Sequence, residues 1–497
     1  MKTTSMRAFG AIRKSLWFIT ALISVFAAGY SADSLALPAF ARQTGQNCVA
    51  CHAGGNFPEL TSYGRMFKLT GYTLGERTIP LSAMAVVSGT KMRNTNNPNP
   101  AGDPRDDFPM KNGDLIASTG SIFLAGKITD NIGGFYQVTY NTWNTPDKWT
   151  GSWASDNADF RYADRFIDPQ RDVIFGMTLN NNPTSQDPWN SAPAWGFDVV
   201  PGSAWGGSYG KIPASPLVAG GLAQQVLGIG GYVYWDKTIY AELAGYQSTN
   251  NKAFTYGNYN ASRISGTAPY GRVAYTIDWG GHSLMLGALG MSAKLHNDPT
   301  DSSSPTTQYN DWGLDAQYQY ILDPHTFTAQ VSYLNEHIKY DSGTGGQPGA
   351  YDSNSEIANS GANTGTNAQS LTNSSDTLNL FRIKGSYVYR ATYGGSLSYF
   401  GLHGSSNSAS QMGVSGDPTG LDFNGSPTLF SVANNVTGKQ DTTGWTAEAF
   451  VLPVQYARIG LQYTMFSKYL GASSNYDGWG RNAKDNNTLF FYMWGAY

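Results

Sequence analysis

From about residue 82 onward, polar and apolar positions alternate with a period of two, in segments of about ten to fourteen residues. That period places alternate side chains on opposite faces of a strand. Gln225 to Trp235 turns at Asp236-Lys237 into Thr238 to Tyr246. Ala268 to Asp278 turns at Trp279-Gly280-Gly281 into His282 to Lys294, and Asp311 to Ile321 turns at Leu322-Asp323-Pro324 into His325 to Ile338. Further hairpins turn near Thr129-Asp130-Asn131, Arg390 and Pro453-Val454. Long connections fall near 93–114, 144–168, 249–266, 295–307, 339–375, 403–440 and 470–485. Short turns on one side and long loops on the other mark a transmembrane antiparallel β-barrel of the bacterial outer membrane. Fifteen strands are legible, and the alternation of connections fails between the strand near 170–180 and the one near 225–235. A further strand is expected there, with Trp195 to Val200 as its best location. The expectation is an all-β fold of about 16 strands, good to about two, with both termini on the periplasmic side. The last segment, Asn487 to Tyr497, ends on an aromatic and resembles the C-terminal strand by which such barrels are recognised for insertion. A soluble β-sandwich is the competing reading, disfavoured by the hairpin lengths and that terminus.

Composition sharpens this picture. Charged residues make up 13% of the chain, against about 25% in ordinary globular domains. Aromatics are also 13%, with 31 Tyr, 13 Trp and 58 Gly, and the net charge is only −3. Lipid is therefore an expected partner and nucleic acid is not, since no clustered basic surface is present. Residues 1–36 read as a secretory signal, with Arg7, Arg13 and Lys14 ahead of the apolar run Leu16 to Ala28 and small residues at Ser34-Leu35-Ala36. No later apolar run is long enough for a membrane helix. The stretch Gly343 to Asn379, rich in Gly, Ser and Asn, reads as an outer loop, and the charges of Asp103 to Asp107 as solvated.

Between the signal and the barrel lies Cys48-Val49-Ala50-Cys51-His52, which contains the chain's only two cysteines. C-x-x-C-H is the attachment pattern of a c-type haem. The two thiols bond the haem vinyl groups, and His52 falls under the iron as proximal ligand. A disulfide or thiol redox pair is the plainer alternative. The organisation expected is a signal at 1–36, a monohaem cytochrome segment at 37–81 and a barrel at 82–497. About 45 residues are too few to cover a haem alone, so the segment is expected to plug the barrel lumen or its periplasmic mouth. Pro58 to Leu69 reads as a short helix, with Glu59 favouring its N-terminal dipole and Gly71 stopping it. Leu60, Tyr63 and Phe67 share a face, and Gly64 permits a close approach. Arg65 and Lys68 are candidate partners of haem propionates, or else solvent-facing. For the sixth iron ligand Met66 is the nearest thioether. Met84, Met92, a barrel histidine or an open position are the alternatives. Among His282, His325, His296, His337 and His403, the first two open strands at the periplasmic rim.

The run Leu37-Pro38-Ala39-Phe40-Ala41-Arg42-Gln43-Thr44-Gly45 before the haem motif, with Tyr63-Gly64-Arg65-Met66-Phe67-Lys68-Leu69 after it, resembles the N-terminus of the fused monohaem cytochrome–porin family. These are outer-membrane iron oxidases of iron-oxidising bacteria. Asn180 to Thr184, Asp187 to Asn190 and Pro193 to Phe197 also look family-like, without an evident role. The resemblance implies an Fe(II)-oxidising oxidoreductase that takes an electron from extracellular Fe(II) at one haem c. The electron would pass to a periplasmic cytochrome c or a small copper protein, with His52 central to the chemistry. A homotrimer is compatible with sixteen strands. The rival readings are a haem-plugged, redox-gated or selective porin, and an electron conduit with a different donor.

Overall fold

Sixteen antiparallel strands close on themselves, each paired with its neighbours in sequence and the first with the last. They are β1 (Leu81–Met92), β2 (Leu115–Lys127), β3 (Ile132–Asn141), β4 (Ser152–Ile167), β5 (Asp172–Asn180), β6 (Val226–Trp235), β7 (Ile239–Ser248) and β8 (Ala268–Trp279), followed by β9 (His282–His296), β10 (Thr306–Leu322), β11 (His325–Tyr340), β12 (Ser375–Tyr389), β13 (Tyr393–Gly404), β14 (Thr442–Val454), β15 (Ala457–Lys468) and β16 (Thr488–Ala496). The computed structural model describes residues 38–55, 57, 59–95, 112–141, 151–189, 212, 214–249, 253–256, 262–341, 373–406, 435, 437–478 and 480–497. Along β10, Asp315, Gln317 and Gln319 are buried while Leu314 is 54% exposed; Leu243 on β7 is 76% exposed. Polar side chains point inward and large apolar ones outward, the pattern of a barrel that spans a bilayer. The start of β1 and the end of β16 lie at the end that carries the short turns.

The sixteenth strand is not where the sequence placed it. β5 pairs directly with β6, so no barrel strand stands between them, and Trp195 to Val200 lie outside the described residues. The missing strand is β4, within the stretch read as an outer loop. Two features hide it. It carries Asp156, Asp159, Arg161, Asp164 and Arg165, which suggest a loop. Its register against β3 also shifts between Tyr136 and Val138, a bulge that breaks the period of two.

The segment ahead of the barrel forms α1 (Pro38–Thr44), the single turn α2 (Cys48–Cys51) and α3 (Ser62–Leu69). Pro58 lies outside the described residues. Helix α3 starts later than the sequence suggested, with Thr61 as its N-cap accepting from the Gly64 amide. Glu59 serves no helix dipole. Its carboxylate instead takes a 2.8 Å bond from Lys384 and a 3.1 Å bond from Ser386 on the inner face of β12. Ala39 N–H donates to Ser82 on β1, the Lys127 amide of β2 donates to Gln43, Tyr72 donates to Asp159 on β4, and Tyr232 on β6 donates to the Leu69 carbonyl. Contacts to strands all around the wall put this segment inside the barrel, toward the short-turn end.

Candidate haem site

The Cys48–His52 turn is held by backbone bonds before any ligand is considered. His52 N–H donates to the Cys48 carbonyl at 2.8 Å, Ala53 N–H to the Glu59 carbonyl at 2.8 Å, and Thr61 N–H to the Cys51 carbonyl at 2.9 Å. Gly64 makes this packing possible. A Cβ there would fall 2.9 Å from the Cys51 carbonyl carbon and closer still to its oxygen. The close approach foreseen at Gly64 is therefore to the haem-motif backbone. Gly54, at φ 61°, turns the chain where a side chain would meet Val388 of β12.

Beside this turn lies a cavity of about 480 Å³, within the range of about 300–1,000 Å³ typical of small-molecule sites. Cys51, His52, Phe57 and Trp494 line one part of it, and Phe40, Leu60, Phe67, Met84, Phe123 and Phe135 supply apolar walls. The His52 ring centroid is 4.0 Å from that of Phe57, which is 5.1 Å from that of Trp494. His52 Nδ1 is buried without a hydrogen-bond partner. Burial pushes the His52 pKa down to about 3, so the imidazole is neutral and carries a free lone pair. Burial also pushes the Cys48 thiol up to about 12 and the Cys51 thiol to about 11. Thiols that stay protonated are poor redox nucleophiles, which weighs against a dithiol couple. Two free thiols on one helical turn, an unpartnered neutral imidazole and an adjacent apolar-walled cavity fit a covalently attached haem.

The other candidates separate. Lys68 lines the cavity, and its ammonium donates to the carbonyls of Ser185 at 2.6 Å and Asp187 at 3.0 Å. Burial, reinforced by the Arg161 charge, pushes it down to about 8. Arg65 is not among the cavity-lining residues. Its guanidinium donates to Gln319 on β10 and Ser283 on β9, as well as to Ser62 and the Leu60 carbonyl. These bonds tie α3 to the wall. Met66 packs into a cluster with Leu69, Ile174, Trp189 and Tyr232 and is not among the cavity-lining residues. His282 stacks on Trp279 and bonds Tyr318, and His325 bonds Tyr387. Both belong to aromatic groups at the rim and neither lines the cavity. Met84 does line it.

Two parts of the site escaped the sequence reading. The first is the bulge on β4, where Asp156 and Asn157 together oppose Gln137 of β3. All three line the cavity with Asn182 and Ser185, giving it a polar region. Asp156 accepts from Thr139 at 2.8 Å, from Asn157 at 3.0 Å and from Gln224 at 3.2 Å. The second is the family-like run after β5. Its carbonyls bind Lys68 and, through Gln186, Arg161. Asp187 lies 3.3 Å from Arg272, and Trp189 is fully buried. Further along the same connection, the amides of Leu217 and Val218 donate to Glu336 and Asp311 on the inner wall. Asn, Pro and Thr directly after a strand read as turn formers, and burial of that turn inside a barrel leaves no periodic signal.

No family model matches the chain, and no curated protein does either. Among solved structures, the outer membrane channel DcaP of Acinetobacter baumannii is similar at 15% identity over 84% of this chain and 96% of its own, with a TM-score of 0.44. OmpF of Salmonella typhi is similar at 12% identity over 84% and 97%, with a TM-score of 0.43. The anion-selective porin from Comamonas acidovorans is similar at 11% identity over 84% and 98%, with a TM-score of 0.38. The likeness is to outer-membrane barrels.

Proposed function

We propose that this chain is an outer-membrane c-type cytochrome that oxidises extracellular Fe(II) and delivers the electron to a periplasmic carrier. The observation that carries the reading is that Cys51 and His52 line one apolar-walled cavity inside a closed barrel, with Cys48 buried at the start of the same helical turn. When bound, haem supplies a one-electron Fe(III)/Fe(II) couple, and Cys48, Cys51 and His52 would hold it. The apolar walls exclude water, and neutral His52 offers its lone pair without first losing a proton. Lys68 keeps a positive charge beside the cavity at neutral pH. On the side of β3 and β4, Gln137, Asp156, Asn157 and Asn182 present carboxylate and amide oxygens, the donors a hydrated divalent cation accepts. The tilted Phe57–Trp494 contact reaches the end of β16, on the short-turn side where a periplasmic acceptor would dock. Oxidation of Fe(II) transfers one electron and requires neither general acid nor nucleophile, and no catalytic triad is needed.

The test uses proteoliposomes holding an oxidised soluble cytochrome c inside and Fe(II) outside. Reduction of the trapped cytochrome that depends on the protein and is lost in His52→Ala supports the reading. Ion conductance without electron transfer, equal in wild type and His52→Ala, would replace it with a selective porin.

A further inference from the structure

Any haem tethered at Cys48 and Cys51 has a second axial position, and the cavity walls limit what can fill it. Besides the Cys51 thiol and His52, the cavity-lining groups able to bind iron are the Lys68 amine, the Tyr72 phenol, the Asp156 carboxylate and the Met84 thioether. Three of these are committed. Lys68 donates to two carbonyls, Tyr72 donates to Asp159 at 2.7 Å, and Asp156 is held by three side chains in the polar region assigned above to the hydrated cation. The Met84 sulfur has no hydrogen bond among the described residues. It sits on β1, in register with Ser121 of β2 and Ala496 of β16, packed with Phe40, Phe123 and Phe135.

We infer that Met84, a residue of the barrel wall, is the sixth ligand of the haem iron. The inference rests on the reading of Cys48–His52 as a haem site. It makes the ligand set composite, with His52 from the inserted segment and Met84 from β1. Iron then staples the segment to the wall, so the isolated segment would lack this ligand. A thioether opposite imidazole also raises the potential relative to two imidazoles.

The experiment is spectroscopy of the full-length protein in detergent. The oxidised form is read for the thioether-to-iron charge-transfer band, and the reduced form for the upfield methyl resonance of a ligating Met. Wild type and Met66→Leu are expected to show both signals. Met84→Ala is expected to lose both and to bind carbon monoxide readily when reduced. Met84→His is expected to give a bis-histidine spectrum with a lower midpoint potential. Heat-shifted gel mobility confirms that each variant is a folded barrel, and the His variant keeps the site filled if the Ala variant fails to assemble. Retention of the signals in both Met84 variants, or their loss in Met66→Leu, would overturn the assignment. So would wild type lacking them while carrying covalent haem. Wild type without covalent haem on a denaturing gel would overturn the site reading itself.

Discussion

Gly64→Ala is expected to displace helix α3 from the haem-motif turn. The added methyl would meet the Cys51 carbonyl carbon at 2.9 Å, and its oxygen at less. The obstacle is backbone, fixed by the Thr61 amide at 2.9 Å on the same carbonyl, so no side chain can swing away. Forcing a methyl into a packed site costs about 1–3 kcal/mol, and the clash here belongs at the upper end. The shift would carry Phe67 and Lys68 with it, since both line the cavity from α3. Gly120→Ala on β2 is the matched control, because nothing lies within 4 Å of its Cβ position. The assay is covalent haem per barrel by in-gel staining, together with the urea midpoint of the haem absorbance. Gly64→Ala should lower both, and Gly120→Ala neither. A Gly64→Ala protein with wild-type haem content and a midpoint shift worth less than about 0.5 kcal/mol would refute the packing argument.

Three other outcomes are expected. Lys68 has a lowered pKa of about 8, so its positive charge, which favours the reduced haem, is lost as pH rises through that value. The midpoint potential should fall across pH 8 in wild type and stay flat there in Lys68→Met; a unit charge about 10 Å away is worth about 1–2 kcal/mol at an effective dielectric near 20. Glu59→Gln removes the carboxylate 2.8 Å from the Lys384 ammonium, whose charge Glu448 also feels; breaking a buried pair costs up to about 3–5 kcal/mol, so the change should expose the N-terminal segment to trypsin in an intact barrel. The double variant Glu59→Gln/Lys384→Met should recover most of that protection. Asp156→Asn should slow haem reduction by Fe(II) about tenfold, roughly the effect of 1.4 kcal/mol of lost attraction, while dithionite reduction proceeds at the wild-type rate.

The barrel was legible because its physics is periodic. β10 and β11 show polar inward and apolar outward positions almost without interruption, and their turn is two residues long. β4 was not legible, because its inward charges serve the inserted segment. Asp159 receives Tyr72, and Arg161 pairs with Asp159 at 2.9 Å. Those charges look like a loop until their partners are known. The haem motif was legible as a local spacing. The roles of Arg65, Lys68 and Met66 depend on which wall each faces, and a helix of eight residues offers no rule for that when both sides are covered. The polar region around Asp156 required the bulge, which a single strand cannot reveal.

The most direct measurement is anaerobic stopped-flow absorbance of outer-membrane vesicles carrying this protein, mixed with Fe(II). The account predicts rapid growth of the reduced-haem α band, absent in His52→Ala. A haem that dithionite reduces but Fe(II) leaves oxidised at every pH tried would contradict it and point to another donor.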